Sequence, residues 1–173
     1  SKLHATLCPI SRDEAIKSAF ITGDIDSLIA ITTPLFARLR DQHRVTHFYI
    51  LDSNRRVIFR AHQPDMSGDI IDRTTTIQAQ ETGQDTHGIE LGPLGTLTLR
   101  SVKPWYHNEQ LIGYLELGEE IEHISQDIHD ALGVDLLILV SRRFMIHDNQ
   151  AEASADHDKP VIISSTFQQL PVV

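Results

Sequence analysis

A chain of 173 residues with 40% hydrophobic and 23% charged residues can build one ordinary core and suits one domain with at most a small appendage. Its formal net charge of −9 excludes the basic face that a nucleic-acid-binding domain shows, and no apolar run approaches the roughly 20 residues of a membrane-spanning helix. The single cysteine, Cys8, excludes an internal disulfide and a cysteine-based zinc or haem site.

Ser11-Arg12-Asp13-Glu14 has the spacing of a capping box, and Ala15, Ile16, Ala19 and Phe20 follow with helical period up to a stop at Gly23. A second helix is expected from about Ser27 to Gln42, with Leu28, Ile31, Leu35, Phe36 and Leu39 on one face. Pro34 lies inside it and, lacking an amide donor, is expected to kink or split it. From Val45 the period becomes two. Val45 to Asp52 and Arg56 to Ala61 read as antiparallel strands around the turn Asp52-Ser53-Asn54-Arg55. Gln63 to Gly68 is a loop, and Asp72 is placed to cap a short helix that runs through Thr82 and closes at Gly83.

Strands return at about Gly88–Leu91, Gly95–Lys103 and Gln110–Leu117, the last two joined by the turn His107-Asn108-Glu109. Glu119, Glu120 and Glu122 open a helix whose apolar stripe is Ile121, Ile124, Ile128 and Leu132 and which ends at Gly133. Val134 to Val140 is dense in aliphatic residues and is expected to be a strand buried on both faces. Ala151 to Lys159 reads as a mobile polar loop and Val161 to Thr166 as a further strand. This order predicts an α+β fold, a five-stranded antiparallel sheet with an N-terminal helical arm and flanking helices mainly on one face.

The polar side chains of interest lie where strands feed loops. Arg60 and His62 alternate and leave one face of their strand, and Tyr49 on the neighbouring strand can line that face. A guanidinium fork with an imidazole suits a carboxylate; an internal ion pair of Arg60 with Asp69 or Asp72 is the competing reading. Arg73 starts a helix, against the local dipole, so it calls for a ligand anion or an acidic side chain. Arg100 and Lys103 precede Pro104-Trp105-Tyr106, where Trp105 can wall a pocket or anchor the core. Tyr114 and Glu116 share a strand face, and Glu116 can meet a ligand amine or pair across strands with Arg100.

No catalytic motif is present: Gly92-Pro93-Leu94-Gly95 is too short for a phosphate loop, and no serine sits in a nucleophile elbow. The 10 histidines are scattered without metalloprotease spacing. His62, Asp65, Asp69 and Asp72 could meet in one loop, but solvation explains them more simply, so no metal and no cofactor is expected.

Gly23-Asp24, Val45 to Tyr49, Arg60-Ala61-His62-Gln63-Pro64, Gly68 to Arg73, Gly88 to Gly95, Leu99-Arg100, Lys103-Pro104-Trp105 and Gly113 to Gly118 occur in the order seen in a known family. In these blocks the stretch from about Asp13 to Val140 resembles the extracytoplasmic Cache sensor domains of bacterial transmembrane receptors, in particular a double-Cache subgroup with a PAS-like sheet. The resemblance implies a periplasmic sensor domain of a chemoreceptor, histidine kinase or cyclic-dinucleotide enzyme. It further implies no enzymatic activity of its own, membrane anchors outside this chain and a homodimer. The expected organisation is an N-terminal arm over 1–44, a sensor core over 45–133 and an abbreviated membrane-proximal segment over 134–173. The ligand is expected to be a small molecule, with a carboxylate as the candidate, held by Tyr49, Arg60, His62, Arg73, Arg100, Trp105, Tyr114 and Glu116. A ligand-free interaction or dimerisation module and a metal- or pH-sensing domain are the alternatives. Ser1 opens no signal-peptide pattern, so the chain is expected to be soluble as it stands.

Overall fold

The computed structural model describes residues 2–92, 96–141 and 160–167. Three helices come first: α1 (Lys2–Ser11), α2 (Glu14–Thr22) and α3 (Ile25–His43). The reading that began the first helix at Ser11 is corrected. Leu3, Leu7 and Ile10 recur at helical spacing and are all buried, which gives α1 its reason to form despite Pro9. Ser11 closes α1, its hydroxyl donating to the Cys8 carbonyl at 2.9 Å, and Asp13 caps α2 by accepting from the amides of Ala15 and Ile16. Pro34 does not split α3. Buried Leu28 and Thr32 before it and Phe36 and Leu39 after it hold the helix to the core on both sides of the missing bond.

The chain divides into two compact units, residues 1–88 with 99–119 and residues 89–98 with 120–173. The strands are β1 (His47–Asp52), β2 (Val57–Arg60), β3 (Thr86–Leu91), β4 (Leu97–His107) and β5 (Gln110–Glu120), with α4 (Thr74–Thr82) between β2 and β3. They form one five-stranded sheet in the order β2-β1-β5-β4-β3. β1 runs antiparallel to both β2 and β5, with Tyr49 opposite Arg60 on one side and Glu116 on the other. Asn108 and Glu109, both with positive φ, make the tight turn between β4 and β5.

Alternation along the strands sorts the core into two clusters. Phe48, Ile50, Leu115 and Leu117 pack with Leu3, Leu7, Ile16, Leu28 and Phe36 of the three N-terminal helices. Leu51, Val57, Val102 and Tyr114 pack with Ile71 and with Ala79 of α4. The expected cap at Asp72 is also corrected: Arg73 occupies the N-cap position of α4 and no side chain caps it. Asp72 instead accepts from Arg55 Nη1 at 2.6 Å.

The second unit holds α5 (Ile121–Leu132) and an antiparallel pair, β6 (Leu137–Ser141) with β7 (Pro160–Ser165). The strand expected over Val134–Val140 begins later and is not buried on both faces. Val134 and Leu139 are each 43% exposed; among the described residues the β6–β7 ribbon has two strands and so offers little surface against which to bury them. The loop expected at Ala151–Lys159 lies outside the described residues.

Candidate functional site

One face of the first unit carries a lateral row of polar side chains across four neighbouring strands and one helix start. Register alone places Arg60 (β2), Tyr49 (β1) and Glu116 (β5) side by side, since each residue of an antiparallel pair projects to the same face as its partner. Arg100 of β4 extends the row, donating from Nη1 to Glu116 Oε1 at 2.7 Å. Arg73 closes it from the start of α4, with Nη2 at 2.6 and 2.8 Å from the two Glu116 oxygens, and Thr76 of the same helix donates to Oε2 at 3.3 Å. Asp69, on the loop before α4, accepts from Arg60 Nη2.

Tyr49 is the hub. The guanidinium carbons of Arg73, Arg60 and Arg100 stand 4.8, 5.4 and 5.9 Å from its ring centroid. His62 meets the ring edge-on at 4.7 Å, and His47 stacks parallel to it at 6.3 Å while also meeting His62 at 4.7 Å. Three guanidinium groups and two carboxylates therefore surround one phenol. Arg60, Arg100 and Glu116 are buried, whereas the Asp69 side chain is 52% exposed.

Burial by itself would raise the Glu116 pKa, but the charges and hydrogen bonds of Arg73 and Arg100 outweigh it and hold the carboxyl below its usual value. The two imidazole pKa values also fall, but with burial as the leading cause, so here it is the neutral form that is favoured. Burial, then the Arg100 charge and His62, push His47 down to about 3. Burial and the charges of Arg60 and Arg100 push His62 down to about 4. Both rings are thus neutral hydrogen-bonding groups at physiological pH.

This has a consequence for acid stability. Each folded pKa lies below the unfolded value of 6.5, so the unfolded chain binds more protons and acid favours it. The stabilisation is complete above about pH 6.5 and drains away as pH falls towards about 4 and then 3. Urea midpoints are expected to fall between about pH 7 and about pH 5, and the double substitution His47→Gln with His62→Gln should flatten that fall. An equal slope in that variant would mean that the imidazoles are hydrated and titrate normally.

Of the eight residues singled out in the sequence, six meet here: Tyr49, Arg60, His62, Arg73, Arg100 and Glu116. Tyr114 shares their strand face but is fully buried in the apolar cluster opposite Leu51, as packing rather than as part of the charged row. Trp105 is separate. It is 1% exposed in the other cluster, its ring is 5.0 Å from Phe20, and Nε1 donates to the Ser11 carbonyl at 2.8 Å. His47 was missed, although its place two residues before Tyr49 puts it on the same face. The loop cluster of His62, Asp65, Asp69 and Asp72 does not assemble, because Asp69 turns to Arg60 and Asp72 to Arg55; among the described residues no group of acidic, histidine or cysteine side chains could hold a metal ion.

No relative is found among the curated proteins. Three solved structures share the fold at low identity. They are a domain of a sensory box/GGDEF family protein from Vibrio parahaemolyticus (TM-score 0.58, 20% identity, 77% of this chain and 58% of that one), the sensor domain of the V. cholerae histidine kinase DctB (0.60, 15%, 78% and 53%), and the sensory domain of the Campylobacter jejuni chemoreceptor Tlp3 with isoleucine bound (0.55, 16%, 79% and 56%). The chain spans little more than half the length of each. Among the described residues no helix is long and apolar enough to cross a membrane. The model of a double-Cache family, described as the double sensory domain of two-component sensor kinases, matches residues 2–169. With the five-stranded sheet and its helical arm in place, the chain belongs to that family of sensor domains.

Proposed function

We propose that the row around Tyr49 is the recognition site of a periplasmic sensor domain and that its ligand is a small carboxylate. The convergence of three guanidinium groups on one aromatic ring carries this reading, because such an array matches an anion through charge-assisted hydrogen bonds. The isoleucine held by the Tlp3 domain of similar fold carries such a group. The sensor core extends over 45–133, residues 1–44 serve as an arm that contacts a second copy, and the anchors lie in segments beyond this chain.

Asp69 gives the site a switch. Its carboxylate sits on Arg60 much as a ligand carboxylate would, on a loop zipped to the edge of β2. That zipper consists of Val57 N donating to Asp69 O at 2.9 Å, Gly68 N donating to Val57 O at 2.8 Å, and the bridge between Arg56 and Ile70. A ligand carboxylate that takes Arg60 displaces Asp69 and favours a second arrangement of the loop, and the difference in affinity between the arrangements sets the signal. Neutral His47 and His62 disfavour a pH sensor working through this cluster.

Calorimetry with carboxylates, amines and amino acids tests the reading. A carboxylate is expected to bind. Arg60→Ala should weaken it by about 100-fold, the worth of two hydrogen bonds to a charged group, and Asp69→Asn should tighten it by removing the internal competitor. Binding confined to amines, or no binder in the set, overturns the proposal.

A further inference from the structure

The block Lys103-Pro104-Trp105-Tyr106, which the row around Tyr49 leaves unused, lines a cleft of about 520 Å³ with three other segments. Ser11 and Arg12 come from the α1–α2 junction, Lys17 from α2, and Gly83 to Asp85 from the turn after α4. The volume lies within the range of small-molecule sites, and the cleft shares no residue with the charged row.

Two helices end at this cleft, and helix ends present carbonyl oxygens that would repel an anion. At the end of α1 all four of those carbonyls are already taken, and at the end of α4 the Ala79 carbonyl is. At the end of α1, Cys8 O accepts from the Ser11 hydroxyl, Pro9 O from the Arg12 amide, Ile10 O from the Asp13 amide, and Ser11 O from Trp105 Nε1. At the end of α4, Ala79 O accepts from the Gly83 amide, and Gly83 O lies 3.4 Å from the Tyr106 hydroxyl.

The lining carries three cationic side chains, Arg12, Lys17 and Lys103, against one carboxylate, Asp85. Asp85 is engaged by Lys103 at 2.8 Å and by His4 at 3.2 Å. Glu14 reaches Lys17 at 3.2 Å, yet the Glu14 side chain is 78% exposed while that of Lys17 is 12% exposed. Lys17 lines this cleft and also a neighbouring groove with Glu14, and its pair with that exposed carboxylate is weak. Arg12 forms no ion pair among the described residues. Beside these charges Tyr106 is 43% exposed, and its hydroxyl donates to the Gly83 carbonyl at 3.4 Å. A guanidinium fork together with compact ammonium charges suits a phosphate or sulfate, whose several oxygens can take both.

We propose that this cleft is a second ligand site, independent of the row around Tyr49, for a ring-bearing phosphate monoester. Arg12 and Lys17 hold the phosphate, with Lys103 at its edge, and the ring lies against Tyr106 and Pro104 above Trp105. Trp105 is the only tryptophan of the chain, so its emission reports occupancy of this cleft without a label.

The test is a fluorescence titration with phenyl phosphate at constant ionic strength, with inorganic phosphate and phenol as separate arms. Phenyl phosphate is expected to give a saturable change at lower concentration than either fragment. Arg12→Gln and Lys17→Gln should each raise the half-saturation concentration by about 10-fold, the worth of one charge-assisted hydrogen bond. Arg60→Ala, in the other site, should leave it unchanged. The absence of any saturable response overturns the site, as does unaltered affinity in the Arg12→Gln with Lys17→Gln double variant. Inorganic phosphate binding as tightly as phenyl phosphate overturns the ring-bearing class of ligand.

Discussion

Glu116→Gln is expected to cost about 3–5 kcal/mol of folding stability, the scale seen when one partner of a buried ion pair is removed. Glu116 is 0% exposed and accepts from two arginines at once, one arriving along the sheet from β4 and the other from the start of α4. The amide keeps the shape and one acceptor oxygen but loses the charge that balances Arg100, whose side chain is 4% exposed, and Arg73, whose side chain is 20% exposed. Arg73 can relax towards water; Arg100 cannot do so without opening the sheet. Most of the cost therefore belongs to Arg100, and Arg100→Met in the Glu116→Gln background should recover part of it, since a charge is then no longer stranded. Urea unfolding of the single and double variants measures both steps. A Glu116→Gln cost under about 1 kcal/mol would mean that water reaches the row and that the two arginines were never desolvated.

The strands around that site were legible because period two is a local property. Val45 to Asp52 and Arg56 to Ala61 alternate, so Tyr49, Arg60 and His62 could be set on one face from sequence, and His47 could have been added by the same count. The same rule also separates Trp105 from the site. Arg100 and Trp105 are five residues apart on β4, an odd number, so they point to opposite faces, and parity favours the core reading of Trp105 over the pocket wall. The cross-strand pair of Glu116 with Arg100 and an acidic partner for Arg73 were both among the readings of the sequence. That the two arginines share one carboxylate was beyond local reading: Arg73 reaches Glu116 from the start of α4, a tertiary fact with no signature at Arg73 beyond its awkward place at a helix start. Likewise α1 carries Pro9 inside its span, so burial of Leu3, Leu7 and Ile10 in the core supports it against its own propensity.

Gly113→Ala tests the spacing on which the row depends. Gly113 sits on β5 opposite Asp52, where β5 passes close to the backbone of β1. A methyl there would lie 2.0 Å from the Leu51 carbonyl oxygen, 3.1 Å from its carbon and 3.2 Å from Cζ of Phe20. The nearest obstacle is backbone within a ladder, which cannot swing aside as a side chain can, so β1 and β5 must part locally. The expected loss is about 3 kcal/mol, at the upper end of the cost of overpacking a tight core. Gly88→Ala is the control: its methyl would meet only Thr75 Cγ2 at 3.1 Å, a side-chain atom that can yield, and it should cost about 1 kcal/mol. Because Gly113 lies three residues from Glu116 on the strand that pairs it with Tyr49, parting the strands also shifts the carboxylate relative to the ring. Gly113→Ala should therefore weaken carboxylate binding even in buffer where the variant remains folded, whereas Gly88→Ala should not. Equal stability of the two variants would show that β1 and β5 lie further apart than the register of Tyr49 and Glu116 requires.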